Sequence, residues 1–326
     1  MADFTDLIDL AAERLGGAVL SANDEFFAPK EALLKAEKPE WKEGLYTERG
    51  KWMDGWETRR RREPGEDWAV IRLGAPGVVK GVVIDTAFFT GNFPESARIE
   101  ACDVEGHPPV KSFSDGTIAW TEILGVTRLK GDSKNHFAIK HPGRVSHLRL
   151  TILPDGGVAR LRVHGIVTPS PEQLPRGELV DLAAMENGGF VLECSDMHYG
   201  HRQNLILPGR STHMGDGWET KRRRGEGNEW TIVRLGEPGL IERLEIDTDH
   251  FRGNAPGSAS VECCDVSGRF DAEKARWQVL LERQPLQPHT RHRFTQEVEQ
   301  QVATHVRLNI FPDGGVARFR VIGRIP

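Results

Sequence analysis

An all-β protein built as a tandem repeat of two jelly-roll β-sandwich domains is the fold class this sequence predicts, and three observations predict it. The chain uses its most distinctive words twice. Asp54-Gly55-Trp56-Glu57-Thr58-Arg59-Arg60-Arg61-Arg62 returns as Asp216-Gly217-Trp218-Glu219-Thr220-Lys221-Arg222-Arg223-Arg224, and Pro154-Asp155-Gly156-Gly157-Val158-Ala159-Arg160 returns as Pro312-Asp313-Gly314-Gly315-Val316-Ala317-Arg318. The separation is the length of a whole domain, far beyond the roughly 20–50 residues of a solenoid unit. Between these words the apolar residues alternate with period two, and Gly and Pro punctuate them at short intervals, as in antiparallel sandwiches.

Taken in order, residues 7–15, stopped by Gly16-Gly17, are the best helix candidate. The first copy then carries an insertion around residues 31–51 that the second lacks. Residues 68–73 and 230–235 read as strands, each ending in Gly before a Pro-Gly turn. A further strand runs through Ile84-Asp85-Thr86 into a Gly91-Asn92-Phe93-Pro94 loop, matched by Ile246-Asp247-Thr248 and Gly253-Asn254-Ala255-Pro256. Leu148, Leu150 and Ile152 fall on one face, with His147, Arg149 and Thr151 predicted on a wet face; Val306, Leu308 and Ile310 oppose His305, Arg307 and Asn309 in the same way. After the Asp-Gly-Gly turn, Ala159, Leu161 and Val163 alternate with Arg160, Arg162 and His164, which places Arg160 and Arg318 outward. The Pro-rich segment 168–177 reads as a linker, giving domains 1–171 and 172–326.

A chain of 326 residues is long enough for two cores. The formal net charge of -5 gives no bulk attraction to nucleic acid or to an anionic membrane. No apolar run approaches the roughly 20 residues of a membrane span, and the N-terminal Met1-Ala2-Asp3-Phe4-Thr5-Asp6 lacks a leader pattern. Cys102, Cys194, Cys263 and Cys264 form no Cys-x-x-Cys pair and read as reduced core thiols. The expectation is a cytoplasmic protein with no nucleic-acid or membrane partner.

Three constellations carry polar chemistry. In the Arg-rich words, Arg60 and Arg62 share one face of an extended chain; a guanidinium grips a carboxylate or ureido oxygen bidentately, and a neighbouring Trp stacks on its plane. The plain alternative is a solvated basic edge. Glu57 and Glu219 are then acid–base candidates. In the Gly-Asn-x-Pro loops, Asn92 and Asn254 either meet a ligand or merely shape the turn. The copies also diverge, since Phe88 corresponds to His250, and the second copy alone carries His198, His201 and His213. Imidazoles there point to acid–base work. No His-Glu-x-x-His or paired Cys/His spacing supports a metal, so none is assigned; a divalent metal at His198, His201 and His250 is the option that chelation tests. His107, His136, His141, His289 and His292 default to surface or core roles.

These words, from Gly16-Gly17-Ala18-Val19-Leu20-Ser21-Ala22-Asn23-Asp24-Glu25-Phe26-Phe27 through both Asp-Gly-Trp-Glu-Thr words, both Gly-Asn-x-Pro loops and both Asp-Gly-Gly turns, resemble the allantoicase (allantoate amidinohydrolase) family over almost the whole chain. The resemblance implies tandem jelly rolls similar to galactose-binding and discoidin modules. It also implies hydrolysis of allantoate to ureidoglycolate and urea in allantoin and purine catabolism, and a homo-oligomer. Release of intact urea requires cleavage between the central carbon and a ureido nitrogen. That chemistry needs an anchor for the α-carboxylate, a proton for the leaving group and a positioned water. Arg60, Arg222 and Arg318 suit the first task, with Trp218 and Asn254 as further substrate contacts. Glu219 and His250 are the acid and base candidates, with Asp216 or Asp247 orienting them. The rival readings are a carbohydrate-binding jelly roll with Trp56 and Trp218 as its platform, and a hydrolase of a related ureido acid.

Overall fold

The computed structural model describes residues 4–326, so Met1, Ala2 and Asp3 of the N-terminal stretch read above lie outside it. The chain divides into two compact units, Met1–Thr168 and Pro169–Pro326. Each holds an eight-stranded antiparallel system and one two-stranded ribbon, while the first unit adds a small hairpin, Tyr46–Thr47 with Gly50–Lys51. Among the described residues the helices are short 3₁₀ turns, and no helix is long and apolar enough to cross a membrane.

One long strand organises each unit. In the first, Asp67–Asp85 pairs through its leading half with Ala18–Ala22 and Val145–Leu153, and through its trailing half with Arg160–Val167 and Lys134–Ala138. Glu229–Asp247 repeats this with Phe190–Cys194 and Val302–Phe311, then with Arg318–Arg324 and Arg291–Phe294. The Pro-Gly words predicted as turns therefore lie inside one continuous strand. Pairing with Val145–Leu153 slips register between Val145 and His147, beside Ala75-Pro76-Gly77, because Pro cannot donate to a ladder and is tolerated where pairing changes hands.

The predicted helix at residues 7–15 is not formed. Ile8–Asp9 is instead a short edge strand on Arg160–Val167, followed by the single turn Glu13–Leu15 closed by left-handed Gly16 (φ 91°). The apolar spacing there serves the sandwich core: Ile8, Leu10, Ala11 and Leu15 are buried.

The predicted alternation holds on its apolar side. Leu148, Leu150, Ile152, Val306, Leu308 and Ile310 are buried completely. The predicted wet face is largely covered as well. His147, Thr151 and His305 are buried, because these strands are central in their sheets and their outer faces are overlaid, His147 by Phe113 and His305 by Phe270. Arg160 and Arg318 are likewise buried rather than outward. The four cysteines are free, three of them buried. Burial pushes the Cys102 thiol up to about 12 and those of Cys263 and Cys264 to about 11.

Candidate active site

The duplicated words, scattered along the sequence, meet at one end of each sandwich. Trp56–Glu57 pairs with Gly157–Val158, and Trp218–Glu219 pairs with Gly315–Val316. Thr58 and Gly156 exchange bonds across this ribbon, as do Thr220 and Gly314. The Gly-Asn loop closes the group: Gly157 N–H donates to the Asn92 carbonyl, and Gly315 N–H to that of Asn254. A Cβ on Gly157 or Gly315 would lie 1.9 Å from the ring of Phe89 or Phe251, so the second glycine of each turn is required by close approach of an aromatic. The first, Gly156 and Gly314, has φ 134° and 135°.

Beneath the ribbon lies a buried ion pair. Arg160 Nη2 meets Asp54 Oδ2 at 2.6 Å, and its other donors reach the carbonyls of Asp54, Ala159 and Glu37. Arg318 meets Asp216 at 3.1 Å and donates to the carbonyls of Asp216 and Ala317. Burial disfavours ionisation of Asp54, but Arg160, the Glu40 N–H and Lys35 outweigh it and hold the carboxyl below the usual range. Arg318 and Asp216 thus clamp the turn to the Asp-Gly-Trp word, which corrects their assignment as substrate anchor and orienting acid. Trp218 is corrected too. It is wholly buried with its indole N–H on the Asp196 carbonyl, as Trp56 is on that of Asp24, so neither offers a face to a ligand. Full burial of such a ring contributes about 2–3 kcal/mol to the fold. Asp247 is buried and accepts the Asp249 N–H, which shapes the loop before His250 rather than touching its ring.

The basic word splits by alternation. Arg59 pairs with Asp24 and Arg61 with Asp67, as Lys221 does with Asp196 and Arg223 with Glu229. Arg60 and Arg222 are exposed and have no hydrogen bond or ion pair among the described residues. In the first unit the word rims a shallow hollow of about 500 Å³ with Asn23, Asp24 and Asp67.

Two polar pairings remain half-open at this end. Asn92 Nδ2 donates to Glu57 Oε1 at 2.7 Å, and Asn254 Nδ2 to Glu219 Oε1 at 2.6 Å. Burial raises the Glu57 carboxyl above its ordinary value, against the lowering effect of Asn92. Asn254 also lies 3.3 Å from Met214 Sδ, on the segment whose Ser211 carbonyl meets His250 Nε2 at 3.0 Å.

Around His250 the units part company. The non-glycine residues with left-handed backbone among the described residues are Phe88 and Asp132 in the first unit, and His250 and His289 in the second. Such conformations cost about 1–3 kcal/mol each and collect at functional sites. In the first unit the Phe88 N–H is held by Asp132, and Trp41 of the insertion packs on Phe88 with ring centroids 5.9 Å apart. In the second, His250 N–H meets His289 Nδ1 at 2.9 Å and Asp249 Oδ1 at 3.1 Å. His289 Nδ1 lies 2.8 Å from Asp249 Oδ1, and His250 Nε2 lies 3.8 Å from Asp249 Oδ2. Arg210 caps Asp249 Oδ2 at 2.8 Å. Burial works against the Asp249 carboxylate, but the two imidazoles and Arg210 outweigh it and hold its pKa low.

Sequence reasoning missed Asp249 and His289. Asp249 was legible as the acid that replaces Ala87 beside the Phe88-to-His250 exchange; His289 was hidden by the long excursion before its loop returns. His198 and His213 are exposed, and His201 caps a turn by accepting the Gln203 N–H; none of them joins His250 in a close cluster among the described residues.

The comparisons with known proteins agree with this layout. A family profile described as allantoicase repeat matches residues 8–168 and again 180–326. A probable allantoicase of Pseudomonas aeruginosa (strain LESB58) is 50% identical over 329 residues, covering 99% of this chain and 97% of the relative. A probable allantoicase of Stutzerimonas stutzeri (strain A1501) is 50% identical over 327 residues, with the same coverage. The crystal structure of allantoicase from Saccharomyces cerevisiae superposes with a TM-score of 0.78 at 36% identity, over 97% of this chain and 92% of that one. A second allantoicase structure gives 0.82 at 36% identity, over 98% and 94%. With both repeats matched and the full length aligned, the chain belongs to the allantoicase family.

Proposed function

We infer that this protein hydrolyses allantoate to ureidoglycolate and urea in purine catabolism, by breaking the bond between the central carbon and one ureido nitrogen. The observation that carries the reading is full-length membership in the family at half identity. The carbohydrate platform is not favoured, since both tryptophans it needs are in the core.

In the second unit the chain offers a group for each task. Arg222, exposed and uncommitted, anchors the α-carboxylate. Glu219, held by Asn254, gives a proton to the departing ureido nitrogen while the other nitrogen pushes its lone pair toward the central carbon. Water then adds to the resulting acylimine and loses a proton, so that allantoate and water become ureidoglycolate and urea. Water activation falls to the Asp249–His250–His289 centre. In the first unit Arg60 and Glu57 are matched, but Phe88 under Trp41 stands where the imidazole would be. We place the protein in the cytoplasm as a homo-oligomer. The four free cysteines, three with thiols pushed far above neutrality, support the compartment; the resemblance supports the assembly.

The test is purified protein with allantoate, following urea and ureidoglycolate together. Equimolar release of both is expected. No turnover by folded protein, or ammonia in place of urea, would overturn the reading.

A further inference from the structure

We propose that Asp249, His250 and His289 form a binding site for one divalent transition-metal ion in the second unit. One donor atom from each lies within 4.8 Å of the others. Two ligands about 2.0–2.2 Å from a shared ion sit roughly 3–4 Å apart; His250 Nε2, 3.8 Å from Asp249 Oδ2, falls in that range, while His289 Nδ1, at hydrogen-bond distance of 2.8 Å from Asp249 Oδ1, draws back by a few tenths of an ångström to admit an ion. Two imidazoles and one carboxylate suit zinc, manganese, iron or cobalt, and exclude the all-oxygen cages of calcium. The Ser211 carbonyl beside His250 Nε2 offers a further oxygen.

A second observation points to a cation. His289 Nδ1 and Asp249 Oδ1 both converge on the single backbone N–H of His250, and stand 2.8 Å from each other. A proton on His289 Nδ1 donated to Asp249 Oδ1 satisfies this contact in the metal-free protein. A bound cation takes that proton's place and keeps both donors turned to one point. His250 and His289 are also held in left-handed backbone, as expected of residues whose direction matters more than their comfort. The first unit is an internal contrast, because Ala87, Phe88 and Asp132 stand where Asp249, His250 and His289 do, and the donor set is gone. Arg210 occupies Asp249 Oδ2 and is largely exposed, so it competes with the ion and can swing clear.

The binding claim is independent of catalysis; only its place in water activation rests on the function proposed above. The experiment is titration of chelator-treated full-length protein with Co²⁺ alone, without substrate, read by visible absorption and calorimetry. One Co²⁺ per chain is expected, displaced by Zn²⁺. His289→Ala and Asp249→Asn, each checked for fold by circular dichroism, should weaken binding at least about 10-fold. Removing the competing charge in Arg210→Ala should tighten it about three- to tenfold. No Co²⁺ or Zn²⁺ binding by folded wild type would overturn the site. So would full stoichiometry in the double variant H289A/D249N. Urea release measured separately on the metal-free protein tells failure of the site from failure of the proposed function.

Discussion

Asn254 donates its side-chain amide to Glu219 at 2.6 Å, and Asn92 gives Glu57 the same bond at 2.7 Å, so one acid-to-amide pairing is built twice from the same two words. Among the described residues only the second copy also carries the Asp249–His250–His289 cluster. Glu219→Gln is therefore expected to lower kcat by about 10²–10⁴, the usual worth of a positioned acid–base group, with KM little changed. Glu57→Gln should cost much less. Equal losses in steady-state assays would place the chemistry in both units and refute the asymmetry.

Neighbouring arginines should separate cleanly. Arg222 is exposed without a partner, whereas Arg223 is tied to Glu229 and to the Glu226 carbonyl. Arg222→Ala is expected to raise KM for allantoate about 10-fold or more while leaving Tm within a degree or two. Arg223→Ala should do the reverse, lowering Tm with KM near wild type. A wild-type KM in the first variant would remove Arg222 as the carboxylate anchor.

The buried clamp gives a stability prediction. Replacing Arg318 with Met leaves the Asp216 carboxylate without its guanidinium in the interior, at a cost of about 3–5 kcal/mol. Replacing both partners, Arg318→Met with Asp216→Leu, should recover part of that loss. Urea denaturation of the single and double variants decides it; a single variant as stable as wild type would show the pair to be dispensable.

Acid should act through two matched histidines. Burial, aided by Arg72 near one and Arg234 near the other, lowers His147 and His305 to about 4 from 6.5. As pH falls below 6.5 the unfolded chain takes up these protons first, so stability declines between pH 6.5 and about 4 and then levels. Urea midpoints measured across this range should fall in wild type. They should fall less in His147→Asn/His305→Asn, and an unchanged slope would exonerate the pair.

Packing sets a fifth expectation. Alanine at Gly315 would drive a methyl into the Phe251 ring, so Gly315→Ala should destabilise by at least about 1–3 kcal/mol, and Gly157→Ala likewise. Chemical denaturation measures this directly, and a neutral substitution would mean the ring yields freely.

Much of this architecture was legible in the residues, and the failures share a cause. Period-two patterning found Leu148, Leu150 and Ile152 because one buried face is enough to impose it. The pattern assumes that the other face is wet, and it went wrong at His147, Arg160 and Arg318, where a polar side chain is buried with its partners. The arginines' partners are distant in sequence: Asp54 for Arg160 and Asp216 for Arg318. The duplicated words announced a site, yet half of what was copied is scaffolding. Trp218, Gly315 and Arg318 recur because a packed junction must recur whole, whereas Arg222 and Glu219 are the part left facing outward. The divergence between copies singles out His250, but His289 sits in a loop whose return to His250 no local pattern encodes.

The left-handed backbone shared by Phe88 and His250 has a practical consequence. Because φ is 68° at one and 69° at the other, the main chain at this spot does not depend on which ring it carries. The two loops are interchangeable sockets, into which a different set of side chains can be plugged without rebuilding the frame. Writing Asp, His and His at positions 87, 88 and 132, and trimming Trp41, would then be a graft within a single polypeptide, with its own second half as donor.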